Sequence, residues 1–123
     1  MTLYLQALCQ ILRFEYYVHR GDFALLYQNV RDCSRSASVA PLAKIGRLCR
    51  VIDIVCVWYP KRVLCLQRSA ATTCLLRKHG LPAQLVIGVQ NPPFKAHAWV
   101  GVEGHVVNDK PYVPEMYAAL ERC

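Results

Sequence analysis

The chain contains no C-x-x-C pair and no Cys/His grouping at zinc-ligand spacing, although it carries seven cysteines in 123 residues. Their odd number and scattered positions (9, 33, 49, 56, 65, 74 and 123) argue against a disulfide scaffold and against a structural metal. The start of the chain lacks the basic segment and small-residue cleavage site of an export signal, so a reducing cytoplasm is the natural compartment. No apolar run reaches the roughly 18 residues that suggest a membrane span, which excludes insertion. The nearest candidates are Met1 to Leu12, which is uncharged, and Val51 to Tyr59, which is interrupted by Asp53. There is also no dense basic tract: the net charge of +7 comes from Lys and Arg spread along the whole chain. Without a basic face interleaved with aromatics, nucleic acid is not an expected partner. Internal repeats and low-complexity segments are absent as well.

What remains is a chain of 54% apolar composition whose length suits one compact domain and is too short for two, so a single core spanning 1–123 is expected. The mean hydropathy of +0.19 is high for a small domain, and part of the apolar surface is available to a partner.

The first 32 residues read as helix, with Leu5, Leu8, Leu12, Tyr16 and then Phe23, Leu26, Val30 recurring at three- and four-residue steps. Gly21-Asp22 breaks this run, and Asp22 can cap the second helix through its side chain. Asp32 to Pro41, rich in Ser and Ala, reads as a loop. A third helix is predicted over Pro41 to Tyr59, ended by Pro60, and a fourth from Cys65 to His79, stopped by Gly80-Leu81-Pro82. After Pro82 the period changes to that of short strands, Gln84 to Val89, Ala96 to Val102 and His105 to Asn108. Turns are expected at Asn91-Pro92-Pro93 and Glu103-Gly104. Helices first and an antiparallel sheet second make an α+β domain.

Three residues stand out in this frame. Cys65 lies at a helix start, where unpaired N–H groups favour a thiolate and can stabilise a tetrahedral oxyanion. His97 lies on a strand, where alternation puts it on one face with Trp99 and Gly101. The Glu103-Gly104 turn folds the next strand back beside it, so either Asn108 or Asp109 can orient the imidazole. Asp109 is favoured because a carboxylate also stabilises the imidazolium. A thiol, an imidazole to take its proton and a third group to hold that imidazole are the parts of nucleophilic catalysis. Each residue alone has a plain structural role, as buried cysteine, satisfied histidine or turn aspartate. Their joint placement carries the argument.

The strings C-L-Q-R-S-A-A-T-T-C-L-L-R-K-H-G, L-V-I-G-V, P-F-K-A-H-A-W-V and V-V-N-D closely resemble the transglutaminase-like cysteine peptidases that process lasso peptide precursors. The likeness covers roughly Ala43 to Asp109. It implies a papain/transglutaminase-like fold with a helical N-terminal segment (1–40) and a catalytic core (41–123). It also implies a Cys65 nucleophile, His97 as general base and acid, and Asp109 as its orienting partner. The implied activity is cysteine peptidase cleavage of the leader from a precursor peptide, with no cofactor or metal. A separate leader-recognition protein and a lasso cyclase are the implied partners. The apolar N-terminal helices either dock that recognition protein or complete the core. One departure is Gly101, where the resemblance leads one to expect an acidic residue after H-A-W-V.

Arg68 follows the nucleophile within one turn and either meets substrate carboxylates or forms a structural ion pair. Gln67 is a possible oxyanion donor, but the Cys65 N–H is the better one. Trp99 reads as a wall of the cleft and so as a substrate contact. Cys74, Cys9, Cys49 and Cys56 read as small buried apolar residues, and Cys33 and Cys123 as exposed incidental thiols. Neither His79 nor His105 has a reason to be catalytic. An acyl transferase of the same fold and a non-catalytic binding module are the alternatives to a peptidase.

Overall fold

An apolar helix with no acidic residue in its first turn, α1 (Thr2–His19), opens the computed structural model, which describes residues 2–33, 43–90 and 95–123. Gly21 and Asp22 turn the chain into α2 (Phe23–Asp32), and Asp22 Oδ1 caps it by accepting the Leu25 N–H at 3.0 Å, as expected from sequence. The loop expected up to Pro41, and the first residues of the third helix, lie outside the described residues. Helix α3 (Lys44–Trp58) ends at Tyr59, whose extended conformation is the one a following proline imposes. Helix α4 (Cys65–Lys78) starts where Leu64 leaves extended backbone. The expected Asn91-Pro92-Pro93 turn also falls outside the described residues.

The sheet runs β3-β2-β1-β4, all antiparallel, from β1 (Ala83–Gln90), β2 (Lys95–Val102), β3 (His105–Val106) and β4 (Ala118–Arg122). Glu103 and Gly104 both take positive φ, at 51° and 82°, which is the backbone a two-residue hairpin needs to match strand twist. The third strand is shorter than the predicted His105 to Asn108. Val100 takes its last ladder bond from the Val107 N–H, and its own N–H is held by the Asn108 side chain at 2.8 Å, so pairing ends there. The short α5 (Val113–Met116) and strand β4 have no counterpart in the sequence reading. In β4 the sequence Ala-Ala-Leu-Glu-Arg does not alternate, so its period is silent.

Helix α4 is the centre of the molecule. Residues 69–76 are buried on every side of it, between α1 and α3 on one flank and β1 and β2 on the other. Its two buried threonine hydroxyls are satisfied within the helix, Thr72 donating to the Arg68 carbonyl at 2.7 Å and Thr73 to that of Ser69 at 2.9 Å. The main core gathers Ile11, Phe14, Leu48, Ile52, Leu75, Leu85 and Val100, and a smaller one of Val86, Trp99 and Val113 covers the opposite sheet face.

The side of α1 that faces inward differs from the obvious stripe. Ala7, Ile11 and Phe14 are buried, whereas Leu5, Leu8, Leu12 and Tyr16 stay exposed. Both stripes are apolar, so periodicity identifies the helix but not its face. The small Ala7 marks the inward side, where α4 packs.

Several cysteines also depart from expectation. Cys33, at the C-cap of α2, is disulfide-bonded to Cys74 with Cα atoms 5.7 Å apart, a pairing that spacing in the sequence does not reveal. Cys9 is exposed and Cys123 is buried, the reverse of their expected places. Cys123 is drawn inside because its backbone pairs in both directions with that of Leu85.

Arg77 fastens three segments together. Its guanidinium donates to the carbonyls of Ala83 (2.8 Å), Val30 (2.5 Å) and Cys123 (2.7 Å), joining the start of β1, the end of α2 and the residue after β4. Burial lowers its pKa from the usual arginine value, but the group stays a cation. Arg77→Met should therefore destabilise the fold by about 2–4 kcal/mol, measured by urea denaturation, because hydrogen bonds from a charged donor are lost and carbonyls are left unpaired. A loss below about 1 kcal/mol would mean that water replaces the guanidinium.

Candidate functional site

Cys65 is the first residue of α4, and Leu64 before it provides no side-chain cap. The N–H groups of the first turn thus have no helical acceptor and converge beside a half-buried free thiol. The other free thiols of the interior sit in a different environment. Burial, reinforced by Asp53 and opposed by Arg68, pushes Cys49 up to about 11. Burial also raises Cys56 and Cys123. Such thiols are poor nucleophiles near neutral pH.

His97 sits on the exposed early part of β2, paired in register with Gly88 of β1. Its Nε2 meets Asp109 Oδ2 at 2.5 Å, with both side chains about three-quarters buried, and Asp109 Oδ1 accepts the Lys110 N–H at 2.8 Å. Partial burial pushes the Asp109 carboxyl up. The hydrogen bonds from His97 and Lys110, with their charges, outweigh it and bring the pKa below the ordinary carboxylate value. With Nε2 committed to Asp109, Nδ1 is the ring nitrogen left for a thiol.

Of the two neighbours that sequence offered to the imidazole, Asp109 meets it. Asn108 does something else: Oδ1 holds the Val100 N–H and Nδ2 donates to Ser69 Oγ at 3.0 Å, while Ser69 Oγ donates to the Ala98 carbonyl at 3.1 Å. This chain of bonds rivets the first turns of α4 to β2 and to the segment that bears Asp109. It sets the distance between the Cys65 and His97 elements.

Cys65 and His97 line two cavities in common. One, of about 280 Å³, is apolar and walled by Phe23, Tyr27, Leu66 and Ile87. The other, of about 290 Å³, is polar and walled by Arg68, Ser69, Asn108 and Asp109. Among the described residues no hydrogen bond joins Cys65 Sγ to the imidazole. Catalytic contacts of this kind often tighten only when substrate is bound.

The remaining candidates separate clearly. Arg68 is ion-paired with Asp53 of α3 while it also borders the polar cavity. Gln67, 2% exposed, donates to Glu15 of α1 at 3.0 Å and lines neither cavity that Cys65 borders. Trp99 is 3% exposed and lines neither cavity that holds Cys65; it stacks beside the His97 ring, with centroids 6.3 Å apart. It borders instead a separate cavity of about 570 Å³ shared with Gly101, Glu103 and Arg122. A Cβ at Gly101 would have its nearest contact at 3.8 Å, an ordinary van der Waals distance, so the fold does not itself demand glycine there.

Two further residues border this arrangement that the sequence reading did not single out. Tyr117, between α5 and β4, lies 5.5 Å from the His97 ring, and Gly88 lies beneath it. No group of three His, Cys, Asp or Glu side chains among the described residues could hold a metal ion. None of the described helices is long and apolar enough to cross a membrane.

A family described as the transglutaminase-like superfamily matches residues 8–122. The microcin J25-processing protein McjB of Escherichia coli is 47% identical over 56 residues, 46% of this chain and 27% of that protein. The aligned part thus spans only about a quarter of that relative's length. No solved structure matches the chain.

Proposed function

Because the chain belongs to the transglutaminase-like superfamily, we propose that it is a cysteine peptidase that removes the leader from a ribosomally made lasso peptide precursor. The observation that carries this reading is the Nε2–Asp109 bond on an imidazole that borders the same two cavities as Cys65. Similarity to a protein named for microcin J25 processing supports the substrate class.

In this reading His97 takes the thiol proton through Nδ1, and Cys65 Sγ attacks the scissile carbonyl carbon. The oxyanion is met by the Cys65 N–H at the helix start. The imidazolium then protonates the departing amine, leaving an acyl thioester on Cys65. Water, deprotonated by His97, hydrolyses that thioester and restores the thiol. Asp109 holds the tautomer and stabilises the imidazolium throughout. Nothing in these steps calls for a cofactor or metal.

The reading extends to a single catalytic unit over 1–123, working in the cytoplasm beside a lasso cyclase that uses the freed amine. The exposed apolar face of α1 and α3, around Leu5, Leu8 and Trp58, is where a separate leader-recognition protein would dock.

The test is mass spectrometry of a precursor peptide incubated with this protein and its recognition protein. Two fragments whose masses sum to the precursor plus one water are expected. A product carrying an added amine in place of water would instead mark an acyl transferase. An intact precursor, with partners shown to be folded and bound, would favour a non-catalytic module.

A further inference from the structure

We propose that Tyr117 is a positioning residue for His97, fixing the plane of an imidazole that Asp109 holds by only one atom; the inference rests on the peptidase reading above. A single Nε2–carboxylate bond leaves the ring free to turn about the bond direction, and histidine χ2 is a broad torsion that does not oppose this. A turned ring keeps Asp109 but swings Nδ1 away from the thiol.

Three rings close around that freedom. His97 lies 5.5 Å from Tyr117 and 6.3 Å from Trp99, and Tyr117 lies 6.2 Å from Trp99, so each ring contacts the other two. The His97 plane is stacked at 29° on Trp99 and tilted by 31° to Tyr117, so a ring bounds it on each of two sides. Trp99 is buried in the smaller core and cannot yield. Tyr117 completes the triangle from a segment otherwise remote from the site.

The triangle rests on Gly88, the register partner of His97. A Cβ there would come within 2.7 Å of both Trp99 Cη2 and Tyr117 Cβ, closer than real Cβ contacts allow. Only glycine lets these rings settle onto the β1 backbone. Among the described residues the Tyr117 hydroxyl has no hydrogen-bond partner, so the ring itself does the positioning and phenylalanine should serve equally well.

The test is site-resolved alkylation by iodoacetamide at neutral pH, read by peptide mass spectrometry, with exposed Cys9 and buried Cys49 as references in the same molecule. His97→Ala should slow alkylation of Cys65. Tyr117→Ala should slow it on the order of tenfold or more, since small misplacements of a catalytic group cost up to about 10²-fold. Tyr117→Phe should stay close to wild type, and Gly88→Ala should behave like Tyr117→Ala. In every variant Cys9 should react as before and Cys49 stay protected.

Wild-type reactivity of Cys65 in Tyr117→Ala, with His97→Ala slowed, overturns the inference and leaves the peptidase reading standing. If His97→Ala leaves Cys65 unchanged, His97 is not its base and both fall. Should Tyr117→Ala loosen the fold, seen as alkylation of Cys49, Tyr117→Leu and Gly88→Ala decide the matter by the same comparison.

Discussion

Cys65→Ala is expected to abolish precursor cleavage, by roughly 10⁶ in kcat as when the nucleophile of a catalytic triad is removed, while the domain stays folded. The alanine keeps the helix start and removes only the sulfur, so the melting transition should be unchanged within about 0.5 kcal/mol. Cys74→Ala is the informative control. It lies nine residues further along α4 on the opposite side and is bonded to Cys33. It should keep most of the cleavage activity and lose stability instead, by about 2–4 kcal/mol where the bond is formed. Single-turnover cleavage assays beside thermal melts separate the two effects. Equal loss of activity in both variants would sink the assignment of Cys65.

Asp109→Asn should lower kcat by about 10²–10⁴ with little change in KM, because the loss falls on the imidazole and not on substrate binding. An amide can still touch Nε2, but it neither balances the imidazolium nor enforces one tautomer. A change confined to KM would make Asp109 a binding residue. The same substitution has a signature in stability. The Asp109 pKa is depressed in the folded state, chiefly because hydrogen bonds from His97 and Lys110 overcome the cost of burial. Its contribution is therefore present above the unfolded carboxylate value of about 4 and is lost as pH falls through the lower folded value. Urea midpoints should show wild type above Asp109→Asn at pH 7, with the gap closing on acidification below about pH 4. A gap that persists unchanged in acid would mean that the carboxylate charge contributes nothing.

Much of the path to the site is written locally. Asp22, Pro60 and Gly104 act within a few residues of themselves, through a cap, a steric clash and a positive φ, so the breaks they impose are readable without the fold. The helix start at Cys65 and the strand bearing His97 are likewise where periodicity predicts them. Asp109 is within reach of the histidine because a tight turn folds the next strand back on the last.

Other parts have no local signal. Tyr117 sits between a four-residue helix and a strand without alternation, and nothing near it in sequence marks it as a neighbour of His97. Gly88 looks like an ordinary glycine in a strand until two rings from elsewhere descend on it. The inward face of α1 is ambiguous because apolar residues occupy both sides.

The sequence by itself determined the α+β order of elements, the helix breaks and the presence of a thiol, an imidazole and a carboxylate on elements suited to them. Those features follow from local dihedral preferences and from the periods of helix and strand, which act over a handful of residues. Tertiary structure alone decided that Arg68 pairs with Asp53 and Gln67 turns to Glu15, that Cys33 meets Cys74, and that Tyr117 packs against the imidazole. Each is a choice between partners far apart in the chain. Only the packing of α4 between the other helices and the sheet settles which of them meet.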